Sequence, residues 1–134
     1  MSIYEYKSGL GNAASYQVSG KPFASGSIDA SGGTPVKVSF PSVTRWVIVQ
    51  NHDAANDLIC AFSENGLPSN GGTNFFSIED VGSTSIATVH SQRLELKVTE
   101  MYFEGSDNFD VIAGLTGIQT KEIVNNWSGS AGVG

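Results

Sequence analysis

The chain predicts an all-β fold: an antiparallel β-sandwich, jelly-roll or immunoglobulin-like, with seven to eight short strands and an extended N-terminal arm. Three observations predict it. Short runs rich in Val, Ile and aromatic residues recur at roughly 8–12 residue spacing, separated by Gly, Pro, Asn, Asp and Ser. Glycine is abundant, at 16 of 134 residues, and charged residues are sparse, at 15%. No stretch carries a convincing helical period. The length is that of one domain, long enough to bury a core without disulfides or metals.

Residues 1–33 are the least core-like part. Tyr4, Tyr6, Tyr16 and Phe23 are spread among Ser, Gly and Ala, too aromatic for a plain linker and too poor in aliphatics for a core segment. This composition suits an arm whose rings anchor in pockets on a partner; an edge strand folded onto its own sandwich is the alternative. Ser31-Gly32-Gly33 breaks the chain before the body, residues 34–118. In Thr34–Phe40, Val36, Val38 and Phe40 alternate with Lys37 and Ser39, and Pro41 ends the strand. Thr44–Asn51 is apolar on both parities at Trp46–Val49, as a central strand covered on both faces would be. Asp57–Ser63 follows a polar turn, so residues 43–63 read as a hairpin. Asn74–Ile78 is a short apolar run, and Thr84–His90 is a weak strand.

Residues 93–113 carry the strongest pattern. Leu94, Leu96 and Val98 alternate with charged or polar residues, then the apolar parity shifts to Met101 and Phe103. A shift of one residue swaps the dry face, so Thr99-Glu100 is a bulge, a bend or a corner between sheets. Glu104–Asn108 is rich in turn formers, and Phe109–Ala113 returns, which reads as a second hairpin. The tail, residues 119–134, is made of small residues with a single anchor-like ring, Trp127, and a turn of helix fits near Lys121–Asn126.

The formal net charge is −6, which argues against general nucleic-acid binding. Residues 1–50 carry a net +2 and the remainder a net −8, a split that suits docking on an acidic partner or a sister subunit. No apolar run is long enough to span a membrane, and the N-terminus lacks the pattern of a signal peptide. Cys60, the only cysteine, lies in an apolar run and reads as a buried free thiol in a reducing compartment.

No catalytic, cofactor-binding or metal-binding set emerges, so the chain is expected not to be an enzyme. His52 and His90 are the only histidines, and Asn51-His52-Asp53 lacks a nucleophile motif, so His52 reads as an exposed turn residue. Two His and one Cys offer no zinc spacing. Glu104, Asp107, Asn108 and Asp110 bring oxygen ligands to one turn, but without the calcium-loop spacing they read as a solvated turn. Trp46, on an apolar strand, reads as core rather than as a sugar-stacking platform.

Four phrases together resemble a known group: Ala14–Phe23 (ASYQVSGKPF), Val38–Trp46 (VSFPSVTRW), Phe62–Gly66 (FSENG) and Arg93–Phe103 (RLELKVTEMYF). They are similar to small virion structural proteins of marine and aquatic tailed bacteriophages, of the cyanophage type, across most of residues 14–118. The resemblance implies a capsid decoration, or cement, protein: a homo-oligomer, trimeric by preference, bound to the major capsid protein or other virion proteins on the outer face of the shell after assembly in the host cytoplasm. It supplies no functional residues. The partner contacts expected from the residues themselves are Tyr4, Tyr6, Tyr16, Phe23 and Trp127. The rival readings are a tail, neck or fibre-associated subunit and a carbohydrate-binding sandwich that recognises the host surface.

Overall fold

The computed structural model describes residues 20–83 and 88–123. They form eight strands: β1 (Lys21–Ile28), β2 (Val36–Ser39), β3 (Thr44–Asn51), β4 (Leu58–Ala61), β5 (Phe75–Ile78), β6 (Val89–His90), β7 (Glu100–Glu104) and β8 (Phe109–Leu115). Two four-stranded sheets have the orders β1-β8-β3-β6 and β2-β7-β4-β5. All pairings are antiparallel, and they join the first strand to the last, the second to the seventh, the third to the sixth and the fourth to the fifth. The chain is thus one long hairpin rolled into two sheets, with β8 closing on β3 and β7 on β4. That wrapping is a jelly roll, which decides between the two sandwich types the sequence allows.

The core fills the space between the sheets. Val47, Val49, Phe109, Val111, Ala113 and Leu115 come from the first sheet, and Val38, Leu58, Cys60, Ile78, Met101 and Phe103 from the second. The rings of Phe103 and Phe109 meet across the gap at 4.8 Å. The alternation expected for β2 holds: Val38 and Phe40 are buried and Val36 packs against the core. Cys60 is buried and free, and burial pushes its thiol far above the ordinary range, so it stays protonated and inert.

Both hairpins read from sequence are arches instead. β3 and β4 lie in different sheets, as do β7 and β8, because in a jelly roll sequence neighbours alternate between sheets. Gly105, at φ +99, turns the chain out of β7, and a Cβ there would sit 2.7 Å from the Asp57 carbonyl. The corner at Thr99-Glu100 is present: Val98 accepts from the Thr44 amide of the first sheet, while Thr99 accepts from the Phe40 amide just past β2. Arg93–Val98 departs from its expected strand. It touches β3 through one bridge, Leu94 to Val47, because β3 bulges between Thr44 and Trp46. The Thr44 hydroxyl then donates to the Leu96 carbonyl and accepts from the Val98 amide in place of the ladder.

For segment 1–33 the sequence allows either an arm or an edge strand. Its described part is an edge strand, β1, paired with β8 from Lys21 to Ile28. Phe23 and Ile28 pack against the core, which is why it adheres. Residues 1–19 lie outside the described residues, as do 84–87 and 124–134. A short 3-10 turn, Thr120–Glu122, stands where a turn of helix was expected.

At one end of the roll four crossings meet on a buried polar knot. Asn51, fully buried, donates through Nδ2 to the carbonyls of Asn56, Ile78 and Glu79. Its Oδ1 accepts from the Asp53 amide and from the Ser106 hydroxyl at 2.8 Å. Asp53 accepts from the amides of Ala55 and Asn56 and, through its other oxygen, from the Asn56 side chain and the Asp107 amide. Burial works to raise the Asp53 pKa, yet these hydrogen bonds to its charged form hold it at about 2.

Two outcomes are expected. Asn51→Ala strands buried partners and should cost about 2–3 kcal/mol in chemical unfolding. Because the Asp53 pKa is lowered in the folded state, its contribution is present above pH 4 or so and is lost as pH falls towards about 2. The stability of Asp53→Asn should therefore be flatter than the wild type's across that window.

Candidate functional site

The two sheets differ in what covers their outer faces. On the second sheet, Lys37, Tyr102, Ala61 and Phe75 stand in register as one row. Lys37 pairs with Glu100 at 3.0 Å. Burial, then the Glu100 charge, pushes the Tyr102 phenol pKa up. The loop after β4 folds back over this face. Its Ser69 amide donates to Glu104 of β7, and its Leu67 is fully buried.

The first sheet's outer face is built of three rows. Pro22, Gly114 and Trp46 form the first, and Ala24, Ile112 and Ile48 the second. The third holds Asp110, Gln50 and His90. Trp46, Ile48 and Ile112 are half-buried, and Gly114 is buried. In the first row the residue between Pro22 and Trp46 has no side chain. The result is a slot two strand spacings wide, about 10 Å, with a glycine floor, a proline wall and an indole wall. The groove there measures about 240 Å³, with Ile112 beyond and Lys21 on its rim. A neighbouring groove of about 340 Å³ shares Lys21 and adds Lys121, Ser42 and Thr116. Neither lysine has an ion pair among the described residues.

The opposite end of this face is polar. His52 Nε2 lies 2.7 Å from Asp110 Oδ2, and the Thr88 hydroxyl lies 3.2 Å from His52 Nδ1. The Ser27 amide donates to the other Asp110 oxygen at 2.9 Å. A register shift in β1 between Ser25 and Ile28 aims that amide, with Ser27 in the left-handed region at φ 55. Partial burial works to raise the Asp110 pKa, but the Ser27 amide and His52 hold it below the ordinary range. Hydroxyl, imidazole and carboxylate stand in the order of a nucleophile, base and orienting acid, but neither groove opens beside them. The set fastens the turn after β3 to β8 and to the β1 bulge.

The residues picked out from sequence fall as follows. Tyr4, Tyr6, Tyr16 and Trp127 lie outside the described residues. Phe23 packs against its own core, its ring edge-on to Phe40 at 5.1 Å. Trp46, read as core, faces outward, because the bulge at Arg45 exchanges the parity of β3. His52, read as an exposed turn residue, is a half-buried partner of Asp110. The oxygen quartet read on the turn after β7 is dispersed. Asp110 pairs with His52, Glu104 with the loop on the other sheet, and Asp107 sits beside Asp53. There, desolvation and then the Asp53 charge raise the Asp107 pKa. Among the described residues no group of three or more His, Cys, Asp or Glu is placed to hold a metal ion.

Sequence reading missed Pro22 and Gly114. The available signal was a glycine inside an apolar strand, which marks a close approach to the backbone. Comparison of the chain with protein-family models, with curated proteins and with solved structures finds no match in any of the three.

Phe23→Ala should lower stability by about 2 kcal/mol in urea unfolding, since it removes a half-buried ring from the core edge. A ring that served only a partner would leave stability unchanged.

Proposed function

We propose that this chain is a non-enzymatic virion structural protein, a capsid decoration or cement protein that binds the outer face of a tailed-phage shell and stabilises it. One observation carries the docking part of this reading: the outer face of one sheet brings half-buried Trp46, Ile48 and Ile112 together beside a groove of about 240 Å³ with Lys21 on its rim. Apolar surface of that kind, rimmed by polar groups, marks an interaction site. Jelly rolls build both viral shell domains and lectins, so topology alone does not separate them; the resemblance to phage virion proteins favours the shell. Many copies on one lattice hold through avidity even where each contact is weak.

Trp46 favours a second reading as a carbohydrate-binding domain, since an outward indole beside a glycine floor can stack on one sugar ring. A tail, neck or fibre-associated subunit shares these features and differs only in its place on the particle.

The test uses tailed-phage shells assembled without the protein. Labelled wild-type chain should cover the shell surface, and Ile48→Glu on the first sheet should weaken binding tenfold or more. Lys37→Glu on the second sheet should change it less than twofold. Label at a single vertex favours a tail or neck subunit instead. Absence of shell binding with retention on a glycan array favours the carbohydrate reading.

A further inference from the structure

The net positive charge of the first fifty residues suits docking on an acidic partner, and the structure shows which cations are left to meet one. Of the seven Lys and Arg residues only Lys7 lies outside the described residues. Lys37 pairs with Glu100, and Arg45 and Arg93 both pair with Glu95. Lys21, Lys97 and Lys121 have no ion pair among the described residues. Two of those three, Lys21 and Lys121, line the groove of about 340 Å³ where β1 begins and β8 ends.

We propose that this groove binds an acidic peptide segment, its carboxylates held by Lys21 and Lys121. The proposal rests on reading the neighbouring outer face as a docking surface, and it names the chemistry of the partner at that end of the face.

The first argument is charge. No Asp or Glu lines the groove, although the chain carries 13 acidic residues against seven basic ones. Glu122 follows Lys121 in the chain but is not part of the lining. An ammonium group is a compact point charge with three donors, and it takes a carboxylate without demanding one fixed geometry.

The second is the supply of free hydrogen-bonding groups. The Ser42 and Thr116 hydroxyls line the groove, but each already donates, to the Thr116 and Val43 carbonyls respectively. The Gln119 carboxamide and the Thr120 hydroxyl beside them make no hydrogen bond among the described residues. Both can donate to a carboxylate or a peptide carbonyl, and the carboxamide oxygen can accept from a peptide amide. Donors and an acceptor together suit a peptide better than a bare anion.

The third is rigidity. The Val43 amide donates to the Ile118 carbonyl at 3.0 Å, and the Thr116 amide donates to the Val43 carbonyl at 2.8 Å. The Ile118 amide donates to the Thr116 hydroxyl, and Ile118 itself is fully buried. These bonds fasten the segment at Pro41 and Ser42 to the segment after β8. A groove already held in shape costs a ligand little ordering.

The fourth is size and continuity. The volume is in the range of sites that enclose a whole small ligand, about 300–1,000 Å³, and one carboxylate fills little of it. Lys21 lines both this groove and the apolar one beside Trp46. A segment with its acidic residues in the basic groove therefore continues towards the indole, and the pattern that fits has an apolar residue next to its acidic ones.

The experiment is a titration of the full-length chain with a fluorescein-labelled peptide of alternating glutamate and leucine, read as anisotropy at low salt. The wild type should bind it, and salt should weaken the binding because both lysines are exposed. Lys21→Gln/Lys121→Gln should weaken it about tenfold, the scale of losing charge-assisted contacts. Lys37→Gln/Lys97→Gln removes the same charge elsewhere and should change it less than about twofold. Unfolding midpoints near the wild type's verify that both double variants are folded.

No binding by the wild type, or an equal loss in both double variants, overturns the proposal. Equal affinity for the matching peptide of glutamine and leucine overturns the role of charge. Inorganic phosphate that displaces the peptide at equal concentration overturns it too, since the groove would then take an ion and not a segment. The titration contains no shell, so the two claims fail separately. If it fails while Ile48→Glu still loses shell binding, the docking reading stands and the groove falls; peptide binding by a wild type that does not bind shells overturns the docking reading alone.

Discussion

The structure depends most on Asn51. A jelly roll must carry its chain back and forth between two sheets, and at one end the crossings after β1, β3, β5 and β7 converge. Each brings backbone donors or acceptors to the knot around the buried Asn51 side chain, and a buried polar group without a partner is costly. Asn51 has two donors and an acceptor oxygen in one short side chain, and here they serve the turns after β3 and β5 and, through Ser106, the turn before β8. The crossing after β1 joins through Ala30, whose amide donates to Ser106 and whose carbonyl accepts from Gly105. The knot therefore fixes the relative placement of both sheets, which the apolar core fills but does not orient.

That placement sets the outer faces. With the crossings pinned at the far end, β3 takes up its irregularity near its start, at Arg45, whose guanidinium is drawn to Glu95. The bulge turns Trp46 out and Val47 in. Had β3 run regularly from Thr44, Trp46 would share the parity of that inward residue and the slot would lose its indole wall. A local slip in one strand thus makes the difference between a core tryptophan and one on the outer face of the sheet.

Parts of this were legible in the residues. The alternation of Val36, Val38 and Phe40 identified an inward face because β2 is regular, and the parity change after Val98 marked a corner because a strand cannot change faces without one. The pairing was not legible. Turn formers at Asn51–Asn56 and Gly105–Asn108 look the same whether they close a hairpin or an arch, since the deciding bonds join residues more than fifty positions apart, such as Ser106 with Asn51. His52 looked like a turn residue for the same reason: its carboxylate partner lies 58 positions away. The apolar residues on both parities of β3 match its two faces: Val47 and Val49 are buried in the core, while Trp46 and Ile48 are half-buried on the outer face.

The pairing of first strand with last also governs how the molecule bears force. Lys21 stands opposite Leu115, so the backbone enters and leaves the described sandwich side by side. Tension applied between those two points acts across the strands and opens the β1–β8 ladder one hydrogen bond at a time, like a zip, whereas tension along the strands would have to shear the whole ladder together. The described sandwich therefore yields most easily when pulled apart between Lys21 and Leu115 and resists most when loaded along its strands.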